Sequence, residues 1–206
     1  MTTSFQKHKT PYIQISKSRI EKHIESFCTC LQFKPQQLFY PVKVNSNPAV
    51  IELMNNRKIN FEVGAISECK LLSSPGIAPN RIRYGNPVKP TESIREAYRM
   101  GITYFSADSA EELEKIAKNA PQSSVYIRVA VDNSGAEWAL TQKFGCQIKA
   151  VCSLFELGDK LSLNVFGISF HVGWNNEHLE TWNRVYRDIS ELATQLKQKY
   201  SSFISI

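Results

Sequence analysis

The 206 residues are 42% hydrophobic, enough for one sizeable core, which excludes a disordered chain. A formal net charge of +6 is spread without any Lys/Arg run beyond two residues and without a nucleic-acid motif, which excludes a nucleic-acid partner as its meaning. A polar N-terminus, no apolar run near ~20 residues, and five scattered cysteines with no CxxC pair or histidine cluster exclude a secretory leader, a membrane segment and a metal site, and imply reduced thiols in the cytoplasm.

In chain order, "YIQI" (12–15) reads as an extra strand. The helix after it has Ser18 and Glu21 at capping-box spacing and an apolar stripe of Ile20, Ile24, Phe27 and Leu31. These residues, 1–36, lead into a main domain spanning 37–206. That domain opens with "LFYPVKV" (38–44), which reads as a buried strand holding one lysine, Lys43. "NPAVIELMNN" follows as a helix with Asn47 as cap and Pro48 at its first position. Then come the strand "INFEV", the strand "RIRYG", the helix "TESIREAYRMG" stopping at Gly101, and the strand "ITYFSA". "SAEELEKIAKNA" sets Ser109 and Glu112 at capping-box spacing. "VYIRVAV" is a strand, "CQIKAVCSLFELGDK" a helix, and "VFGISFHV" a strand. The longest helix, "NEHLETWNRVYRDISELATQLKQKY", carries a stripe of Leu179, Trp182, Tyr186, Ile189, Ala193 and Leu196; a last strand, "SFISI", ends the chain.

Alternating strands and helices predict a parallel sheet, and strands that read as apolar on both faces predict burial on both sides. An α/β barrel and an open doubly wound sheet both satisfy this, although no GxGxxG follows any strand to support a dinucleotide fold. An eight-stranded barrel needs about 200 residues or more, so a barrel here is incomplete, with about six βα units and a final strand. Polar groups recur at the strand ends, where parallel α/β folds keep their sites: Lys43, Glu62 with Glu68 just beyond, Gly85-Asn86, Asp108, Arg128, and His171 ahead of "VGWNN". A buried lysine has two readings. Desolvation favours a neutral, nucleophilic amine suited to Schiff-base chemistry; alternatively, the stem is buried while the ammonium snorkels to water or pairs with Glu62.

"FYPVKVNSNPAVI" resembles the lysine segment of the pyridoxal-phosphate (PLP) enzymes of fold type III, with an alanine-racemase-like barrel, and most of all the ornithine, lysine and diaminopimelate decarboxylases. "FEVGAISE", "GNPVKP", "YFSADSAEELEKIA", "IRVAVDNSGAEWALTQKFG" and "GISFHVG" follow in that family's order and spacing, over about residues 10–206. The resemblance implies a (β/α)8 TIM-type barrel and PLP as cofactor. Lys43 would carry PLP as a Schiff base, His171 would stack on its ring, and Arg128 would set its charge environment. Glu62 stands where the family more often has an aspartate, Glu68 faces the cofactor, and Asn86 and Lys143 shape the rim. The activity implied is decarboxylation of a basic amino acid; a racemase would use the same electron sink after removing the α-proton.

The sequence departs from the family at Trp174, where a small residue helps hold the cofactor phosphate, and it ends before the family's glycine-rich phosphate turn and C-terminal β-domain. The resemblance therefore implies either an N-terminal fragment or a subunit whose site is finished in a homo-oligomer or by a complementing chain. The alternatives are an inactive relative that binds a full-length homologue or other partner, and a non-catalytic PLP-binding protein.

Overall fold

The computed structural model describes residues 12–137 and 143–200. Six strands form one parallel sheet in the order β1 to β6: β1 Phe39–Pro41, β2 Asn60–Val63, β3 Ile82–Tyr84, β4 Tyr104–Ala107, β5 Ser124–Arg128 and β6 Asn164–Ser169. The helices are α1 Lys17–Leu31, α2 Pro48–Asn56, α3 Ile66–Ser73, α4 Thr91–Arg99, α5 Ala110–Asn119, α6 Val151–Lys160 and α7 Leu179–Lys199. Strand order follows chain order without reversal, so the doubly wound alternative, whose order reverses at a switch point, falls away.

Strand periodicity divides the sheet into two unlike faces. Phe61, Val63, Ile82, Tyr84, Phe105, Ala107, Val125 and Ile127 all turn to one face, where they are buried with Ile51, Leu72, Ile94, Leu113 and Phe155 from the helices. Each of the aliphatic and phenylalanine side chains larger than alanine contributes about 1.5–3 kcal/mol by leaving water. The alternate residues Glu62, Arg83, Tyr104, Ser106, Tyr126 and Arg128 take the other, inner face, so the strands are not apolar on both sides as their sequences suggest. A register shift opposite Val125 and Tyr126 leaves Phe166 as an extra residue, and its ring joins this face 5.9 Å from Tyr104 and 6.0 Å from Tyr126. The Arg83 guanidinium lies 3.8 Å from the Phe39 ring centroid on β1 and 5.7 Å from that of Phe166 on β6. First and last strands thus meet one side chain across the inner face, and the sheet is a curled arc of barrel type.

Several expected elements are realised as read. Asn47 caps α2 by accepting the Ala49 N–H at 3.0 Å, Ser109 caps α5 by accepting the Glu112 N–H at 3.2 Å, and Gly101 takes φ +85° after α4. Others differ. "YIQI" is not a strand: Ile13 is 90% exposed and no neighbouring strand offers its backbone a ladder. The cap of α1 is Ser16, which accepts the Arg19 N–H at 3.4 Å, and Ser18 lies inside the first turn. On α7 the buried face is Thr181, Val185, Ile189, Leu192 and Leu196, so the expected stripe is rotated. Trp182 and Tyr186 stack on each other at 5.8 Å instead, and the Trp182 indole N–H donates to the Asn176 carbonyl at 2.9 Å. The expected strand "SFISI" lies outside the described residues.

The largest correction concerns Lys43. Strand β1 stops at Pro41, which has no N–H to donate to a ladder, and Val42–Val44 form a 3-10 turn. Lys43 sits in that turn and is exposed, so a lysine inside a buried strand does not exist here.

Candidate functional site

Parallel strands deliver their last residues to one rim, and the charged residues singled out above collect there. Glu62 lies in register with Pro41 on one side and Arg83 on the other. Burial raises the Glu62 pKa above the ordinary carboxylate range, and it outweighs the downward pull of the Lys43, Arg128 and Arg83 charges; Glu68 adds to the rise. Glu68 belongs to the first turn of α3, where a carboxylate suits the helix dipole, and it accepts the Gly64 N–H at 2.6 Å.

His171 follows β6. Its Nδ1 accepts the Gly173 N–H at 2.9 Å, which leaves the proton of the neutral ring on Nε2. Partial burial, then the Arg128 and Lys43 charges, hold its pKa below the ordinary imidazole value. At neutral pH His171 is therefore an uncharged ring with a fixed tautomer. The charges of Lys43 and Arg128 thus act on both Glu62 and His171: the structure brings together four of the five expected residues, with Glu68 beside them.

Residues 143–146 hold Arg128 from behind. Val129 and Cys146 form a parallel bridge; the Cys146 N–H donates to the Arg128 carbonyl at 2.9 Å, and the Ala130 N–H donates to the Cys146 carbonyl at 2.8 Å. The Phe144 ring centroid lies 5.4 Å from the Arg128 guanidinium and 5.5 Å from the Lys143 ammonium. Asp108, at the end of β4, accepts the Gly145 N–H at 2.8 Å and so ties this return to the sheet.

The Asn86 corner is held by a residue that sequence reasoning missed. Lys89 is 1% exposed; its ammonium donates to the carbonyls of Asn86 at 2.9 Å and Ser106 at 2.6 Å and pairs with Glu112 at 2.9 Å. Desolvation brings its pKa down to about 8, against the upward pull of Glu112. The only available signal was a lysine confined between Pro87 and Pro90. The Arg83 layer on the inner face was likewise missed, because its partners come from three other strands.

The residues fit a pyridoxal group on chemical grounds. An exposed primary amine, a neutral imidazole, a carboxyl group and a guanidinium whose charge acts on it share one rim, and Trp174, 62% exposed, turns its bulk to solvent instead of filling the space beside Gly173. Among the described residues no group of three or more His, Cys, Asp and Glu side chains could hold a metal ion, and no helix is long and apolar enough to cross a membrane.

The comparisons with known proteins point to one family. Antizyme inhibitor 2 of Xenopus laevis is 30% identical over 183 residues, covering 87% of this chain and 40% of its own length. Ornithine decarboxylase of Schizosaccharomyces pombe is 36% identical over 137 residues, covering 66% of this chain and 32% of its own. The arginine decarboxylase of Paramecium bursaria Chlorella virus, solved bound to agmatine, superposes with a TM-score of 0.81 at 26% identity, over 88% of this chain and 49% of that one. The chain thus spans about half the length of that solved relative and less of the two curated ones. The family model described as "Pyridoxal-dependent decarboxylase, pyridoxal binding domain" matches residues 17–206. The chain belongs to the pyridoxal-dependent decarboxylases, whose cofactor is pyridoxal 5'-phosphate, and carries their pyridoxal-binding domain.

Proposed function

We propose that the chain is the cofactor-holding half of a decarboxylase acting on a basic amino acid, working in the cytoplasm. The observation that carries this reading is the meeting of Lys43, Glu62, Arg128 and His171 at one rim, where the Lys43 and Arg128 charges act on both the carboxyl and the imidazole. Residues 37–206 form the cofactor-binding part and residues 1–36 lead into it. Lys43 is the covalent attachment point for the cofactor's aldehyde, its amine standing clear of the sheet. His171, uncharged and fixed by Gly173, offers a flat face to the pyridine ring. Glu62 and Glu68 balance the charges of Arg128, Arg83 and Lys43. When bound, pyridoxal phosphate supplies an electron sink for the bonding pair released as a substrate's α-carboxylate leaves as carbon dioxide. Ornithine and arginine decarboxylases among the relatives support a basic substrate. The chain spans 40% and 32% of the two curated relatives, so turnover calls for the part of such a protein that this chain does not span.

A second reading is a partner-binding relative without turnover. Its support is the 30% identity to a protein named for inhibiting another protein's action, and the indole at position 174.

Borohydride trapping separates the two. The purified chain, incubated with pyridoxal phosphate, reduced and digested, should carry a phosphopyridoxyl group on the Lys43 peptide, absent from Lys43→Ala. Labelling spread over surface lysines, or none, would overturn the first reading and leave the second.

A further inference from the structure

Gly85 continues the β3 ladder one residue past the strand, its N–H donating to the Val63 carbonyl at 2.9 Å. By strand alternation it follows Arg83 on the inner face. Its backbone does not require glycine, because it is not among the residues with left-handed φ, which include Gly76, Gly101, Gly145 and Gly173. A side chain there would nevertheless collide. The three atoms nearest to a methyl at Gly85 are Glu62 Cδ at 2.5 Å, Cγ at 2.6 Å and Oε1 at 2.9 Å. All belong to one flexible side chain and none to backbone. Glu62 therefore lies along the inner face in the space that a Cβ at position 85 would fill, pointing to the rim where Lys43 and Arg128 act on it.

We infer that Gly85 is a positioning residue for Glu62: its missing side chain is the slot that lets a glutamate place its carboxylate at the rim. Arg83, in register with Glu62, is held against the Phe39 ring, and its charge acts on the Glu62 carboxyl. The arrangement also accounts for the longer acid at position 62. An extra methylene needs room along the strand direction, and Gly85 is the residue that leaves it. Function thus depends on a glycine through volume rather than through backbone freedom.

This inference rests on the reading of Lys43 as the cofactor's attachment point, and the experiment keeps the two apart. The Gly85→Ala chain should fold with a melting temperature lowered by no more than a few degrees, since the Glu62 side chain must move from Cγ outward but no backbone atom is among the three nearest. Its crystal structure should show Glu62 in a different rotamer. At limiting pyridoxal phosphate, borohydride labelling of Lys43 should fall on the order of tenfold, the scale of cost for a misplaced group. In the Glu62→Ala background, Gly85→Ala should lower labelling no further, because the three atoms nearest to the methyl are then gone. An unchanged Glu62 rotamer, or an equal loss in both backgrounds, would overturn the inference. An unlabelled wild-type chain would instead sink the reading of Lys43, while the Glu62 rotamer in Gly85→Ala would still decide the role of Gly85.

Discussion

Lys89 illustrates how much a single buried charge can hold. Its ammonium joins the β3–α4 corner to β4 through the Asn86 and Ser106 carbonyls and to α5 through Glu112, which also pairs with Lys115 at 2.5 Å. Removing one member of a buried pair leaves the other uncompensated, which costs about 3–5 kcal/mol, whereas replacing both by apolar groups is often close to neutral. Lys89→Met should therefore lose about that much in urea unfolding, and Lys89→Met/Glu112→Leu should recover part of it. The pH dependence carries a distinct sign. The folded pKa of about 8 lies below the ordinary lysine value, so between the two the unfolded chain binds more protons than the folded one. The contribution of this group is therefore independent of pH below about 8 and increases as pH rises through about 8 toward about 10.5, the ordinary lysine value. That rise should be present in the wild-type chain and missing from Lys89→Met; identical alkaline slopes would refute the assignment.

Among the elements, periodicity makes most strands and helices legible, and caps such as Asn47 and Ser109 mark their starts because a side-chain acceptor there satisfies an otherwise orphaned N–H. The candidate site is legible for a related reason: parallel strands all end at one rim, so a polar residue closing an apolar run is placed there by topology. What stays hidden is set by neighbours distant in sequence. The run "LFYPVKV" carries a strand's composition, yet Pro41 ends the ladder and Lys43 leaves the sheet. On α7, Trp182 and Tyr186 satisfy a helical period but stack on each other at the core's edge, Trp182 half-buried against it and Tyr186 exposed. The return through residues 143–146 has no periodic signature, because its order comes from Asp108 and from the β5 edge. Gly145 is the residue on which that return turns, with φ +98° and a hypothetical Cβ 2.6 Å from the Ala130 nitrogen. Gly145→Ala meets both a strained φ and a backbone clash, and should cost about 1–3 kcal/mol locally. Hydrogen exchange should show faster exchange of the Cys146 and Ala130 amides than in the wild-type chain; unchanged protection would show that the bridge to β5 does not depend on this turn.

Across the whole molecule, curvature is what makes a site possible, since a flat six-stranded sheet would separate Lys43 on β1's side from His171 after β6. The curl is held on the inner face by side chains from five strands. Phe39, Arg83, Tyr104, Tyr126 and Phe166 form a layer in which the guanidinium lies 3.8, 5.9 and 5.7 Å from the Phe39, Tyr126 and Phe166 centroids. Barrel interiors are ordinarily filled by layers of bulky branched residues. Here a cation takes the centre, and the surrounding rings stabilise it through their negative faces, at about 0.5–2 kcal/mol per well-placed pair. The long stem also fills the volume between the end strands. Charge and packing can be separated by substitution. Arg83→Met keeps most of the volume and should cost no more than about 1–2 kcal/mol, the cation–π share. Arg83→Ala also empties the layer and should cost more, on the order of 2–5 kcal/mol, as for large-to-small changes in a core. Near-ultraviolet circular dichroism, which reports the packing of these rings, should weaken in Arg83→Ala and be largely kept in Arg83→Met. Equal effects of the two substitutions on stability and on the aromatic signal would mean that the cation, not the filled layer, holds the arc closed.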